Sequence, residues 1–176
     1  MAEAKDSIDA NENLRLANWF RGFTCMAENP FHPLVWINGD PEIGEGVYIG
    51  GFSEVNARGA RVVIGKGCDI ASFVSINVAD SHRRCIGLSD EVDRRDIIIG
   101  ERVFIGSHSV VKGGAVIGHN SVVAAGTIVE GGVEIPPWSL VVGNPMKVKA
   151  GYYRVGSPGC PDGPLRQGQA GMEAGE

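Results

Sequence analysis

No apolar run in this chain is long enough to cross a membrane, and the first thirteen residues, MAEAKDSIDANEN, lack both the basic start and the apolar stretch of a secretory signal. Cysteine is scarce: Cys25, Cys68, Cys85 and Cys160 show no CxxC spacing, so neither a zinc site nor a disulfide framework is indicated. Basic charge is not in excess either. With 16 Lys and Arg against 21 Asp and Glu the net charge is −5, which argues against general nucleic-acid binding while leaving room for a local anion site. At 176 residues the expectation is one domain, in a cytoplasmic protein.

What the chain has in abundance is glycine, 26 residues of it, and much of that falls in a repeat. From Ile99 the sequence reads in sixes: IGERVF, IGSHSV, VKGGAV, IGHNSV, VAAGTI, VEGGVE, IPPWSL. The first place of each unit is Ile or Val, the second is often Gly, and the fifth is small or slim. A period of six is neither helical nor simply alternating; it is the mark of a hexapeptide β-solenoid, whose chain turns a corner every six residues and stacks on the coil below. Each side of a triangular coil sends one residue to the axis, and β-branched residues, stiff at χ1, suit that place. Gly at the second place is expected to relieve the bend. Eighteen residues then make a coil. Ile105, Val123 and Val141 should form one ladder, Ile99, Ile117 and Ile135 a second, and Val111 and Val129 a third.

An earlier block of units begins at Ile37, Ile43, Ile49 and Val55, loses phase over residues 61–63, and resumes at Ile64, Ile70 and Ile76. Asp80 then occupies a fifth place, where a dry corner suits it poorly, and residues 81–96 (SHRRCIGLSDEVDRRD) fit no repeat. This is a charged excursion from the coil, and such insertions are where solenoids carry chemistry. Residues 8–23 read as a short amphipathic helix packing on one end of the solenoid, with Leu14, Leu16, Trp19, Phe20 and Phe23 as its apolar contacts. The expected organisation is a helix and link over 1–36, the solenoid over 37–150 with its loop at 81–96, and a flexible Gly- and Pro-rich tail within 151–176.

The segments IGSHSVVKGGAVIGHNSVVAAGTIV and VVGNPMKV resemble the hexapeptide-repeat acyltransferases, over roughly residues 37–150. The resemblance implies a left-handed parallel β-helix, assembly as a homotrimer with active sites between subunits, and acyl transfer from CoA, here acetyl-CoA as donor. Within that superfamily, GKGCDIASFVSINVADSHRR is similar to the segment before the acceptor loop of sugar, galactoside and xenobiotic acetyltransferases. There a His just past the start of the loop is the general base, and His82 matches it. A hydroxyl is a weak nucleophile, and an imidazole that titrates near neutrality can take its proton as the thioester is attacked. Asp80 or a backbone carbonyl would orient the ring.

By the same resemblance Ser107 and Ala125 match cofactor-lining places, and Lys147 and Lys149 match the basic end of the closing motif, where CoA phosphates are met. One departure is that some relatives carry a Thr-Lys pair where this chain has Glu130 and Gly131, which puts that phosphate contact in question. The implied acceptor is the amine or hydroxyl of a sugar, nucleotide-linked in one version, in which a loop arginine (Arg83, Arg84, Arg94 or Arg95) meets the diphosphate. O-acetylation of an antibiotic or other small molecule is the nearest alternative. Other readings are a non-catalytic scaffold and a metal hydratase of the γ-carbonic anhydrase kind, although His82, His108 and His119 do not reproduce that family's histidine spacing. No metal site is assigned.

Overall fold

The structure, a computed structural model, describes residues 34–160 together with residues 15, 18, 19, 22, 23 and 29–31. Within 8–23, Arg15, Asn18, Trp19, Gly22 and Phe23 are described and are helical. Trp19 and Phe23 stack on each other at 5.8 Å and remain largely exposed, so these two rings do not pack on the solenoid. The other residues of 8–23, and the tail beyond Cys160, lie outside the described residues. The start of the tail is hydrogen-bonded: Gly156 N donates to Cys160 O at 2.9 Å, and Cys160 N to Ser157 O at 3.0 Å.

Residues 36–142 coil into a parallel β-helix of three faces. On the first face Ile37, Val55, Ile76, Val111 and Val129 stack in register. Ile43, Ile64, Ile99, Ile117 and Ile135 do so on the second, and Ile49, Ile70, Ile105, Val123 and Val141 on the third. All three predicted ladders form. From Ile49, Val55 and Ile64 onward every rung is at most 1% exposed, and each such side chain contributes roughly 1.5–3 kcal/mol by its removal from water, as an upper bound. Ile37 and Ile43, in the first coil, are partly buried.

Fifth places also face inward, some of them apolar (Cys68, Val74, Val103 and Ala115) and others polar. Ser53, Ser109, Ser121, Thr127 and Ser139 are at most 2% exposed, and each hydroxyl is tied to the backbone near its corner. Ser109 Oγ donates to Ala124 O at 3.0 Å and accepts from Thr127 N at 3.4 Å; Thr127 Oγ1 in turn accepts from Gly143 N at 3.1 Å. Buried hydroxyls are tolerated because they are satisfied, and among the described residues no buried side-chain nitrogen or oxygen lacks a partner.

Two details depart from the sequence reading. The left-handed turn is taken at the fourth place: Phe52, Phe73, Arg102, His108, Asn120 and Trp138 all have φ between 52° and 65°. Gly at the second place serves clearance between coils instead. A Cβ on Gly106 would lie 2.4 Å from Ala125 N, and one on Gly118 would lie 2.4 Å from Pro137 N. Residues 61–63 do not interrupt the solenoid either. Val62–Ile64 is a strand paired in register with Ile97–Ile99, so the additional residues lengthen the second face, and Val62 and Ile97 are both buried.

The three corners differ in chemistry. Between the third and first faces runs an exposed stack of Phe52, Phe73 and His108, with ring centroids 5.0 and 4.9 Å apart. Between the second and third lie Arg102, Asn120 and Trp138. Between the first and second the corner is rich in glycine (Gly59, Gly113, Gly114, Gly131, Gly132), and from it the loop departs. At the C-terminal end Lys147–Lys149 folds back antiparallel on Leu140–Val142, closing the third sheet.

Candidate active site

The loop leaves the first face after Val78 and returns at Asp96. Its two arms, Ala79–Asp80 and Asp93–Arg94, pair antiparallel, with a one-turn helix, His82–Cys85, between them. Asp80 sets the local geometry. Its Oδ1 accepts from the backbone N–H of His82 at 3.1 Å, an Asx turn that starts the helix. The same oxygen lies 2.6 Å from His82 Nδ1. The two contacts hold the Asp80 carboxyl below the usual carboxylate range, the side-chain bond from His82 first and its backbone N–H second. With the proton on Nδ1, where the carboxylate favours it, the imidazole keeps Nε2 as its basic nitrogen. Of the two groups expected beside this ring, Asp80 is the one in contact with it.

The His82 side chain is 63% exposed and lines a cavity of about 590 Å³ on the first face, bounded by Ser75, Asn77, Asp80, Arg95, Lys112 and Glu130 among others. Lys112 stacks one coil on from Asn77 and lies 3.6 Å from Glu130 and 4.0 Å from Asp80. Neither Asn77 nor Lys112 was expected from the sequence. The signal was there: counted back through the excursion, Lys112 holds the same place in its unit as Asn77. A second cavity, of about 570 Å³, opens at the N-terminal end of the solenoid between Phe31, Ile37 and Val47, away from His82.

The remaining expected residues fall elsewhere. Ser107 and Ala125 are third places of neighbouring coils on the aromatic corner, linked by Gly126 N donating to Ser107 O at 2.9 Å. Ser107 is half-buried and Ala125 exposed. Lys147 and Lys149 are exposed on the closing strand, Lys149 Nζ lying 5.4 Å from the centre of the Tyr152 ring. Within one chain, then, Ser107 and Ala125 stand where the first face begins and His82 where it ends, and none of the four cofactor candidates lines the His82 cavity. His108 and His119 also sit at corners other than that of His82, His108 in the aromatic stack and His119 edge-on to Trp138 at 6.1 Å. Among the described residues no helix is long and apolar enough to cross a membrane.

Residues 96–130 match the family model described as the hexapeptide repeat of succinyl-transferase. The fold is that of the hexapeptide-repeat left-handed β-helix. Solved structures with this fold include the N-acyltransferase AntD from Bacillus cereus in complex with dTDP and 3-hydroxybutyryl-CoA, at 19% identity and a TM-score of 0.58 over 66% of this chain and 65% of AntD. The polySia-specific acetyltransferase NeuO is similar at 27% identity and a TM-score of 0.55, over 66% of this chain and 61% of NeuO. A galactoside acetyltransferase in complex with coenzyme A is similar at 24% identity and a TM-score of 0.52, over 85% and 86% of the two chains. This chain thus spans less than two thirds of the length of AntD and of NeuO. No curated protein matches it.

Proposed function

We propose that this hexapeptide-repeat protein is a CoA-dependent acyltransferase that moves an acetyl group from acetyl-CoA to the amine or hydroxyl of a sugar, with His82 as general base. The observation that carries the reading is the 2.6 Å contact between His82 Nδ1 and Asp80, in a cavity beside the acceptor loop of a β-helix. Its support outside the chain is the likeness to NeuO, an acetyltransferase.

The chemistry is a direct transfer. His82 Nε2 takes the proton of the acceptor hydroxyl as its oxygen attacks the thioester carbonyl. Collapse of the tetrahedral intermediate breaks the carbon–sulfur bond, and the imidazolium returns the proton to the departing thiolate. No covalent enzyme intermediate is needed. Among the described cysteines Cys68 is buried and its thiol is pushed up by burial, which suits it to a core and not to attack.

Ser107 and Ala125, small and stacked on adjacent coils, leave room for an extended chain such as pantetheine to approach the backbone, and Lys147 and Lys149 offer cations to its phosphates. The width of the first face separates these residues from His82 in one chain. A homotrimer that sets the aromatic corner of one copy beside the loop corner of the next would bring them together. The reading assigns the enzyme to the cytoplasm, where acetyl-CoA is at hand as donor.

An acceptor screen with acetyl-CoA, reading free CoA, on wild type and His82→Ala in parallel tests the proposal. Release with a sugar acceptor that the substitution abolishes supports it. No release with any sugar, and no thermal stabilisation by acetyl-CoA, sinks it.

A further inference from the structure

The returning arm of the loop alternates. Arg94 turns to the corner, where its Nε donates to Arg58 O at 3.1 Å and its stem covers Gly59. Its neighbours Asp93 and Arg95, on the opposite side of an extended chain, both line the His82 cavity. The cations of that cavity are not equivalent. Lys112 is engaged by Glu130 and Asp80, and Asp80 also holds His82. Arg95 has no side-chain hydrogen bond or ion pair among the described residues, yet it is placed. Its backbone N–H donates to Val78 O at 3.1 Å, and its side chain lies along two stacked glycines: a Cβ on Gly114 would come within 3.3 Å of its Cδ, and one on Gly132 within 3.5 Å of its Nη1. A guanidinium laid along a glycine track, beside the candidate base and without a carboxylate of its own, is a fork awaiting an anion. Asp93, the other charge in the cavity with no side-chain hydrogen bond or ion pair among the described residues, is negative and so weighs against an anion bound away from Arg95.

We infer that Arg95 determines acceptor specificity by binding an anionic group, a phosphate or a carboxylate, carried by the sugar whose amine or hydroxyl is presented to His82. This rests on the acyltransferase reading for the identity of the acceptor, while the anion contact itself does not. It singles out one of the four loop arginines. Arg94 faces the corner, and Arg83 and Arg84 lie on the exposed helix and do not line the cavity.

The test is calorimetric titration of the full-length protein, with CoA present, using glucose, glucose 1-phosphate, UDP-glucose and glucuronate. The same compounds and their 2-amino forms are then offered as acceptors with acetyl-CoA. Wild type is expected to bind at least one anionic probe about tenfold or more tighter than glucose. Arg95→Gln should bring that probe to the level of glucose, Arg95→Lys should keep part of the difference, and Arg94→Gln should keep all of it. Preference for glucose 1-phosphate and UDP-glucose over glucuronate identifies a phosphate, and the reverse a carboxylate. The inference is overturned if glucose binds as well as the anions, if no anionic probe binds, or if Arg95→Gln raises KM for acetyl-CoA and leaves the acceptor unaffected. Binding that is anion-selective and Arg95-dependent, with no CoA released from any acceptor, sinks the acyltransferase reading alone; acetylation indifferent to acceptor charge sinks this one alone.

Discussion

Gly106 sits so close beneath Ala125 on the next coil that a Cβ on the glycine would be 2.4 Å from the alanine nitrogen and 2.8 Å from its Cα. Backbone cannot yield as a flexible side chain can, so Gly106→Ala should destabilise the solenoid by about 1–3 kcal/mol, the usual cost of overpacking. Gly126 is the contrast: a Cβ there would meet nothing within 4 Å, and its φ of +69° is one that Asn120, with φ 55°, already adopts at the equivalent place. Gly126→Asn should therefore cost less than Gly106→Ala, about 1 kcal/mol or under, the strain of a left-handed turn in a residue type that tolerates it. Chemical denaturation of both variants checks the pair, and equal losses would mean that clearance is not what the second place requires.

Ser121→Ala removes a hydroxyl that accepts from Ser139 N at 3.0 Å and donates to Pro136 O at 3.3 Å. The carbonyl keeps a partner, since Ser139 Oγ also donates to it at 2.6 Å. The Ser139 N–H loses that acceptor inside the core. A loss of about 1–3 kcal/mol is expected, the cost of one unsatisfied buried group, as a lowered denaturation midpoint with unchanged slope.

His82→Ala should lower acyl transfer to a hydroxyl by roughly 10²–10⁴-fold, and transfer to an amine by less, because an amine can attack once neutral and shed its proton afterward. Asp80→Asn should cost less than His82→Ala, since it disturbs orientation and leaves the imidazole in place. The pH dependence of stability has a definite sign. His82 depresses the Asp80 carboxyl in the folded state, so the contact stabilises above the unfolded carboxyl pKa of about 4 and is lost as pH falls through the lower folded value. The Tm difference between wild type and Asp80→Asn should be present at neutral pH and vanish in acid. A difference that grows on acidification would contradict the assignment.

Cys68 donates from Sγ to Gly100 O at 3.0 Å and is 1% exposed, and burial pushes its thiol up. Cys85 is exposed on the loop helix. Iodoacetamide at pH 8 should label Cys85 in minutes and leave Cys68 untouched until the chain is unfolded, as read by peptide mass spectrometry.

The ladders were legible because one β-branched residue per face must reach the axis, and Ile105, Val123 and Val141 announce that in sequence. The small fifth-place residues were legible because that place also faces inward beside a tight corner, and the contact between Asp80 and His82 was legible from their nearness in sequence. Clearance was not: Gly106 and Ala125 are neighbours only because an 18-residue coil brings them together, and a glycine that avoids a clash looks in sequence like one that eases a bend. Residues 61–63 read in sequence as a loss of phase because their partner lies far along the chain. Val62–Ile64 makes sense only against Ile97–Ile99, on the far side of the loop. Lys112 was hidden likewise, its alignment with Asn77 obscured by the residues between.

In the ladders Ile76 and Val111 are adjacent rungs although 35 residues separate them. Removing 79–95 would leave 18, the regular coil. Arg95 N and Val78 O are already in hydrogen-bond contact at 3.1 Å, so the ends of such a splice meet in space. The excursion is thus a cassette inserted between two rungs of an unbroken ladder. A shortened chain with Val78 joined to Asp96 should still wind, stack and melt cooperatively while losing His82 and Arg95 together, and a foreign loop of different chemistry spliced at the same two residues would inherit a ready-made rigid mount.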